Sequence, residues 1–314
     1  GIIGHGRVQE ILHRMLKNDS LPHALLFVGA DHVGKTTVAH ALIREVMGIR
    51  GLARLAHRAT PEGGRATAEG TLASHPDYVE LKRETDEKTG KRKSNISIKQ
   101  VREVVGRLSM SSMAGGYKAV FIEEAHRLSK GGVNALLKTL EEPRGKMLFV
   151  LRAPSADAVP ATIASRCQTL RFSIASREEI VQGLVRTGMS PSDATEAASR
   201  AMCRPGLAMR FIKDGDYRAR IETREAQADE FFNASLPRRL SMVMELIPKG
   251  EGDAASELKH IVDDWQSVYR ERMLGALGTP SEEKILSLLN RLAQVRAAIP
   301  HNINPHLALE HVAL

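Results

Sequence analysis

Two kinds of hydrophobic pattern share this chain. In the first half, runs that are apolar at every position alternate with stretches of helical period. In the second half only the helical period remains. Ala24-Leu-Leu-Phe-Val28, Ala119-Val-Phe-Ile122 and Met147-Leu-Phe-Val-Leu151 are uninterrupted apolar runs, the mark of strands covered on both faces. Tyr78-Val-Glu-Leu81 and Gln168-Thr-Leu-Arg-Phe172 read as two shorter strands. Residues 4–18 put Val8, Ile11, Leu12, Met15 and Leu16 on one helical stripe, and Val38, Ala39, Ala41, Leu42 and Val46 form another. Ser97 and Gln100 have the spacing of a capping box, ahead of Val101, Val104, Val105 and Leu108. Ser129 caps a helix with Val133, Leu136, Leu137 and Leu140 inward, and Pro143 stops it. Short buried strands alternating with helices predict a parallel sheet with crossover helices.

From Ser173 onward the pattern predicts helices only. Three short ones fall within 176–213, broken near Gly188 to Pro191 and near Pro205-Gly206. Longer ones follow, broken around Pro237, Pro248 to Gly252, Pro280 and Pro300. The fold class is therefore α/β followed by all-α, with boundaries near 173 and 217. Within the α/β part, residues 51–95 are rich in Gly, Ala, Thr and Arg. They read as a partly mobile insert holding the strand at Tyr78 and a basic hairpin near Lys91-Arg-Lys93.

Charge adds one distinction. Of the 314 residues, the last 114 hold 15 Lys/Arg and 16 Asp/Glu, leaving 30 and 21 in the first 200. The net charge of +8 thus belongs to the α/β part, which suits a polyanion partner and equally suits a solvated basic surface. Two cysteines, Cys167 and Cys203, are too few for a disulfide framework or a four-cysteine zinc site. With no apolar run near eighteen residues and no visible leader, the expectation is a cytoplasmic protein without a membrane partner.

The chemistry concentrates after the first strand. Gly29-x-x-x-x-Gly34-Lys35-Thr36 has complete Walker A spacing, with a strand before it and a helix after it. Glycines there let backbone N–H groups turn toward phosphate oxygens at a helix N-terminus. Gly29, Val33, Gly34, Lys35, Thr36 and Thr37 are the expected nucleotide-binding residues. Lys35 is expected on the β/γ-phosphates and the Thr36 hydroxyl on Mg²⁺. The run Val120-Phe-Ile-Glu-Glu124 ends in two acids. Glu123 is expected to hold Mg²⁺ through its water shell and Glu124 to polarise an attacking water. Glu123 is one methylene longer than the Asp usual at that place.

Several further pieces stand in a fixed order: Pro22-His-Ala-Leu-Leu-Phe27, the Walker A loop, His75-Pro-Asp77, Asn134-Ala-Leu-Leu-Lys-Thr-Leu-Glu-Glu-Pro143 and Ser165-Arg-Cys167. Over residues 1–172 this order resembles the AAA+ subunits of the bacterial DNA polymerase III clamp loader. The resemblance implies a RecA-like AAA+ domain (1–172), a small three-helix lid (173–217) and a helical collar (218–314) that joins a ring of five subunits. It also implies Arg166 as an arginine finger, reaching in trans into a neighbour's ATP site. Partners would be gamma/tau-like and delta-like subunits, and indirectly the sliding clamp and primed DNA.

Departures choose among the subunit types. Glu123 replaces the motor subunits' Asp. Ala153 and Pro154 stand where a Thr pair acts as sensor. Gly206 stands where the lid carries an Arg. No tau-like extension follows the collar-sized segment. These point to the delta prime type, a stator that supports ATP-dependent clamp loading while hydrolysing little or no ATP itself. The intact Walker A loop keeps ATP or ADP binding in the reading. The family's zinc module lies between the Walker A loop and His75; residues 48–76 hold no cysteine, and His57 with His75 make a poor site, so no zinc is expected. The competing reading is an active gamma/tau-like motor or another AAA+ DNA-remodelling ATPase. A P-loop kinase would leave Ser165-Arg-Cys167 and the helical tail without a role.

Overall fold

The fold of the chain is given by a computed structural model. It describes residues 2–49, 72–87, 90, 92–113, 115–247, 254–278, 281–301 and 303–314. The expectations for residues 51–71, including the missing zinc module and His57, lie outside the described residues, as does Lys91.

Helix α1 spans Gly6–Lys17, β1 Ala24–Val28, α2 Lys35–Val46, β2 Tyr78–Leu81, α3 Ile98–Ser109, β3 Lys118–Ile122, α4 Lys130–Glu141, β4 Met147–Ala153, α5 Ala161–Ala164 and β5 Gln168–Arg171. These five strands pair in parallel, in the order β2-β3-β4-β1-β5. The two faces are separated by strand parity. Leu26, Val120, Ile122, Phe149 and Leu151 pack with Val101, Val104 and Leu108 of α3 and Leu136 and Leu140 of α4. Leu25, Phe27, Phe121, Leu148 and Val150 pack with Leu12 of α1 and Val38, Leu42 and Ile43 of α2. A central strand buried on both sides has no polar face to show, which explains the unbroken apolar runs. Both expected caps form. Ser97 accepts from the Gln100 N–H while the Gln100 side chain accepts from the Ser97 N–H, and Ser129 accepts from the Gly132 N–H. An antiparallel bridge between Thr85 and Arg92 gives the hairpin expected there.

Among the described residues, only helices follow. The three short ones are α6 (Arg177–Val185), α7 (Pro191–Ser199) and α8 (Pro205–Lys213). Five more are α9 (Gly215–Asn233), α10 (Leu236–Leu246), α11 (Ala254–Ala276), α12 (Glu282–Ala298) and α13 (Pro305–Ala313). The chain divides into two compact units, Gly1–Ala194 with Cys203–Gly206, and Thr195–Met202 with Leu207–Leu314. The core of the second unit gathers Phe231, Val243, Ile261, Trp265, Leu292 and Leu309. The sequence places Leu240, Val243, Met244 and Ile247 on one apolar stripe; Val243 and Ile247 enter this core, while Leu240 and Met244 remain exposed, with Leu236, on one side of α10. Leu288 and Leu292 are buried in the same core, with Ile285 and Leu289 partly buried against it. No described helix is long and apolar enough to cross a membrane.

One buried charge in the second unit has a measurable signature. Asp264 of α11 accepts from Arg220 of α9 at 3.1 Å, yet burial dominates and pushes its carboxyl up to about 6. The folded state then holds this proton more tightly than the unfolded chain between about pH 4 and 6. That contribution favours folding at the acid end of the window and fades as pH rises through 6. Asp264→Asn is expected to stabilise this unit by about 3 kcal/mol at neutral pH, with the gain vanishing near pH 4. Urea midpoints of the two proteins across that range check the sign.

Candidate functional site

Because the strands are parallel, their carboxyl ends share one edge of the sheet, where α/β ligand sites form. Val28 leads there into the Gly29–Thr36 loop and α2, Ile122 into Glu123, and β4 ends beside both. The loop is held close to its neighbours. Gly29 has φ +148°, and a Cβ on it would lie 2.2 Å from the Phe172 carbonyl oxygen, so only glycine fits. Its N–H donates to the Pro154 carbonyl. Gly34 is left-handed at φ +109° and caps α2. Val33 is buried, Thr36 half-buried and Thr37 exposed. The His5 ring donates from Nε2 to the Val33 carbonyl and stands edge-on to Phe172.

Lys35 is 3% exposed, and its ammonium donates to the Gly29 and Ala30 carbonyls. Burial pushes its pKa down to about 8. Asp31 opposes that shift, and the nearby cations Arg152 and Arg204 add to it. The Arg204 Nε is itself buried with no hydrogen-bond partner among the described residues.

Arg152 is the residue that sequence reasoning missed. It shares strand parity with Leu148 and Val150, so it projects to the α2 side of the sheet, and β4 lies between β1 and β3. From there one guanidinium reaches both neighbours. Nη1 donates to the Thr36 hydroxyl at 2.9 Å, Nε to the Glu123 carbonyl at 2.7 Å, and Nη2 lies 3.4 Å from Glu123 Oε1. The only sequence signal was a charge inside an otherwise apolar strand. Arg83, also missed, had none. It grips Glu124 with Nε at 2.6 Å and Nη2 at 3.0 Å, one on each carboxylate oxygen.

These contacts bear on the roles expected of the two acids. The donor set does not fit the Mg²⁺ expected on Thr36 and Glu123, because both are already engaged by a fixed cation. Two unit charges 4 Å apart repel by about 4 kcal/mol at an effective dielectric of 20, and a divalent ion by about twice that. Glu124 is brought to the strand end as expected, but with both oxygens bound to Arg83 it is a poor group to polarise a water.

Arg166 stands apart from this cluster. It pairs through Nη2 with Glu141 at the end of α4, and Nη1 donates to the Thr162 carbonyl at 2.8 Å. The adjacent Cys167 is half-buried, and burial pushes its thiol up to about 12, so it behaves as a small apolar group.

Other ordered motifs turn out to brace the site. His23 donates to the Leu140 carbonyl at 2.8 Å, tying β1 to the end of α4. Asp77 is buried and accepts from the Ser112 hydroxyl and the Met113 N–H. Gly206 donates its N–H to the His32 carbonyl at 2.8 Å, and a Cβ there would meet that oxygen at 2.7 Å. No side chain fits at this position, which accounts for glycine standing where an arginine was the pattern.

A five-stranded parallel sheet, a Walker A loop and a helical second half define a RecA-like AAA+ P-loop protein. The profile of the family described as "DNA polymerase III, delta subunit" matches residues 4–176, and the chain belongs to that family. It is 31% identical over 195 residues to DNA polymerase III subunit delta' of Haemophilus influenzae, covering 62% of this chain and 56% of that protein. The Escherichia coli delta' subunit matches at 31% over 205 residues, 63% of this chain and 57% of its own length. The chain therefore spans somewhat over half the length of these relatives. Subunit tau/gamma of Haemophilus influenzae is 29% identical over 187 residues, 58% of this chain and 25% of its own length. A crystal structure of a DNA polymerase III gamma subunit-related protein from Thermotoga maritima shares the fold, with a TM-score of 0.50 at 17% identity over 98% of this chain and 96% of its own.

The close approach at Gly206 yields a direct test. Gly206→Ala must push Cys203–Gly206 off the loop or bend the His32 peptide, and is expected to destabilise by about 1–3 kcal/mol. A urea midpoint unchanged from wild type would show that the contact is not needed.

Proposed function

We propose that the chain is a delta prime-like stator of the bacterial clamp-loader complex. It supports ATP-dependent loading of the sliding clamp onto primed DNA and hydrolyses little or no ATP itself. The observation that carries this reading is the engagement of both strand-end acids by arginines, Glu123 by Arg152 and Glu124 by Arg83. Family membership and the delta' relatives support it. The division into AAA+ domain (1–172), lid (173–217) and collar (218–314) belongs to the same proposal, as do the gamma/tau-like and delta-like partners in a hetero-pentamer. The motor reading retains the intact Walker A loop and the tau/gamma matches in its favour.

In this proposal Arg166 serves a neighbour. Its planar fork of donors suits a phosphate oxygen that gains charge during transfer. In the isolated chain Glu141 holds it, so insertion into a neighbouring site exchanges one anion for another. The pair is half-exposed, and such pairs are weak, at about 0–1 kcal/mol. The exchange is therefore cheap. Exposed Leu236, Leu240 and Met244 on α10 are assigned to the collar contact.

Two measurements on reconstituted complex test these roles. Arg166→Ala is expected to fold and assemble normally and to remove most turnover at one site, about 10³–10⁵ for a finger on which hydrolysis depends, diluted by the sites that keep their own arginines. A mutant complex that assembles and hydrolyses at the wild-type rate would remove the trans role. Leu240→Glu combined with Met244→Glu is expected to keep the monomer's melting temperature and weaken complex formation on gel filtration; normal assembly would reassign that surface.

A further inference from the structure

In P-loop proteins generally, the hydroxyl after the Walker A lysine and the acid at the neighbouring strand end share a divalent cation, which neutralises the β- and γ-phosphate oxygens. Here those two groups share Arg152. Its guanidinium bonds the Thr36 hydroxyl and the Glu123 carbonyl and faces the Glu123 carboxylate. It is placed by β4 itself, the strand between β1 and β3, so its position is set by backbone pairing at Phe27 and by the packed sheet beneath. We propose that the Gly29–Thr36 loop binds a nucleoside di- or triphosphate without a metal ion, with Arg152 acting as a built-in cation in the metal's place. This rests on reading the loop as a nucleotide site, and it deepens that reading by naming the metal-free form of the ligand.

Three observations favour an anion without its metal. Lys35, Arg152 and Arg204 put three cations around the loop, against Asp31 and Glu123. Lys35 is almost wholly buried, and its hydrogen-bond partners among the described residues are carbonyl oxygens, a weak match for an ammonium ion. Arg204 has a buried Nε with no partner among the described residues, although a guanidinium normally satisfies its donors. A polyphosphate supplies the missing acceptors and the missing negative charge together. A magnesium-bound polyphosphate brings two positive charges into a place that already holds a fixed one.

Arginine also differs from a bound ion in a way that suits a stator. It cannot dissociate, is weakly hydrated and stays charged at every accessible pH. A nucleotide held this way is retained without the arrangement that activates a water for attack.

The test is a titration of the 314-residue chain with ADP, by calorimetry, in excess EDTA and in excess Mg²⁺. Affinities within about threefold of each other are expected, a difference under 1 kcal/mol. Arg152→Thr removes the guanidinium and frees Thr36 and Glu123. It is expected to weaken binding in EDTA by tenfold or more and to recover when Mg²⁺ is added, while its melting temperature shows whether it folds. Lys35→Ala should lose binding in both buffers. Wild-type affinity that falls tenfold or more on chelation overturns the proposal without reference to any mutant. So does an absence of ADP binding in EDTA. Complex formation with gamma/tau-like and delta-like subunits, measured on the same preparation, then shows separately whether the stator reading stands.

Discussion

One guanidinium sits at the junction on which the rest of the site depends. Arg152 ties the Walker A threonine to the acid at the end of β3, and it does so from β4, the strand between β1 and β3. Parallel pairing brings three strand ends together, and strand parity decides which side chain points at the loop. An apolar residue at position 152 would leave Thr36 and Glu123 available to a metal ion. Arg152 instead places a permanent charge between them. Arg83 acts likewise on Glu124 from the end of β2. In the proposed function, two cation–carboxylate contacts separate the holding of phosphate, assigned to the loop, from the activation of water, which needs the acids free.

The motifs that carried the family resemblance divide between chemistry and bracing. His23 fastens the start of β1 to the end of α4, and Asp77 pins the segment that follows α3. Gly206 is small because the His32 carbonyl leaves no room for a side chain. Glu141, from the longest of these motifs, holds the arginine of another, Arg166. The Pro22–Phe27 and Ser165–Cys167 signatures thus both meet the end of α4, which carries a third.

Legibility in the sequence followed the range of the interactions. Elements fixed by local patterns could be read nearly to the residue: β1 from five consecutive apolar positions, α3 from the Ser97–Gln100 box, and the three short helices from their Pro and Gly breaks. The Walker A loop and the two acids could be placed because their spacing is local. What the acids do could not be read, because their partners come from elsewhere. Arg83 and Glu124 are 41 residues apart, and Arg152 and Thr36 are 116 apart. The role of such a pair is set by sheet order, which a one-dimensional pattern does not contain. The apolar positions of α10 divide between core and surface for a related reason. Helical period identifies an apolar face, but which half of it a core covers depends on the helices packed beside it.

The central claim is that both acids of this chain are held away from catalysis. It is tested most directly by ATP turnover of the purified chain, with Mg²⁺ and primed DNA present and no other subunit. The account predicts no hydrolysis above the background of a Lys35→Ala control. Robust turnover that Glu124→Gln abolishes would contradict it, since Glu124 would then be free to activate water despite Arg83, and the chain would be a motor.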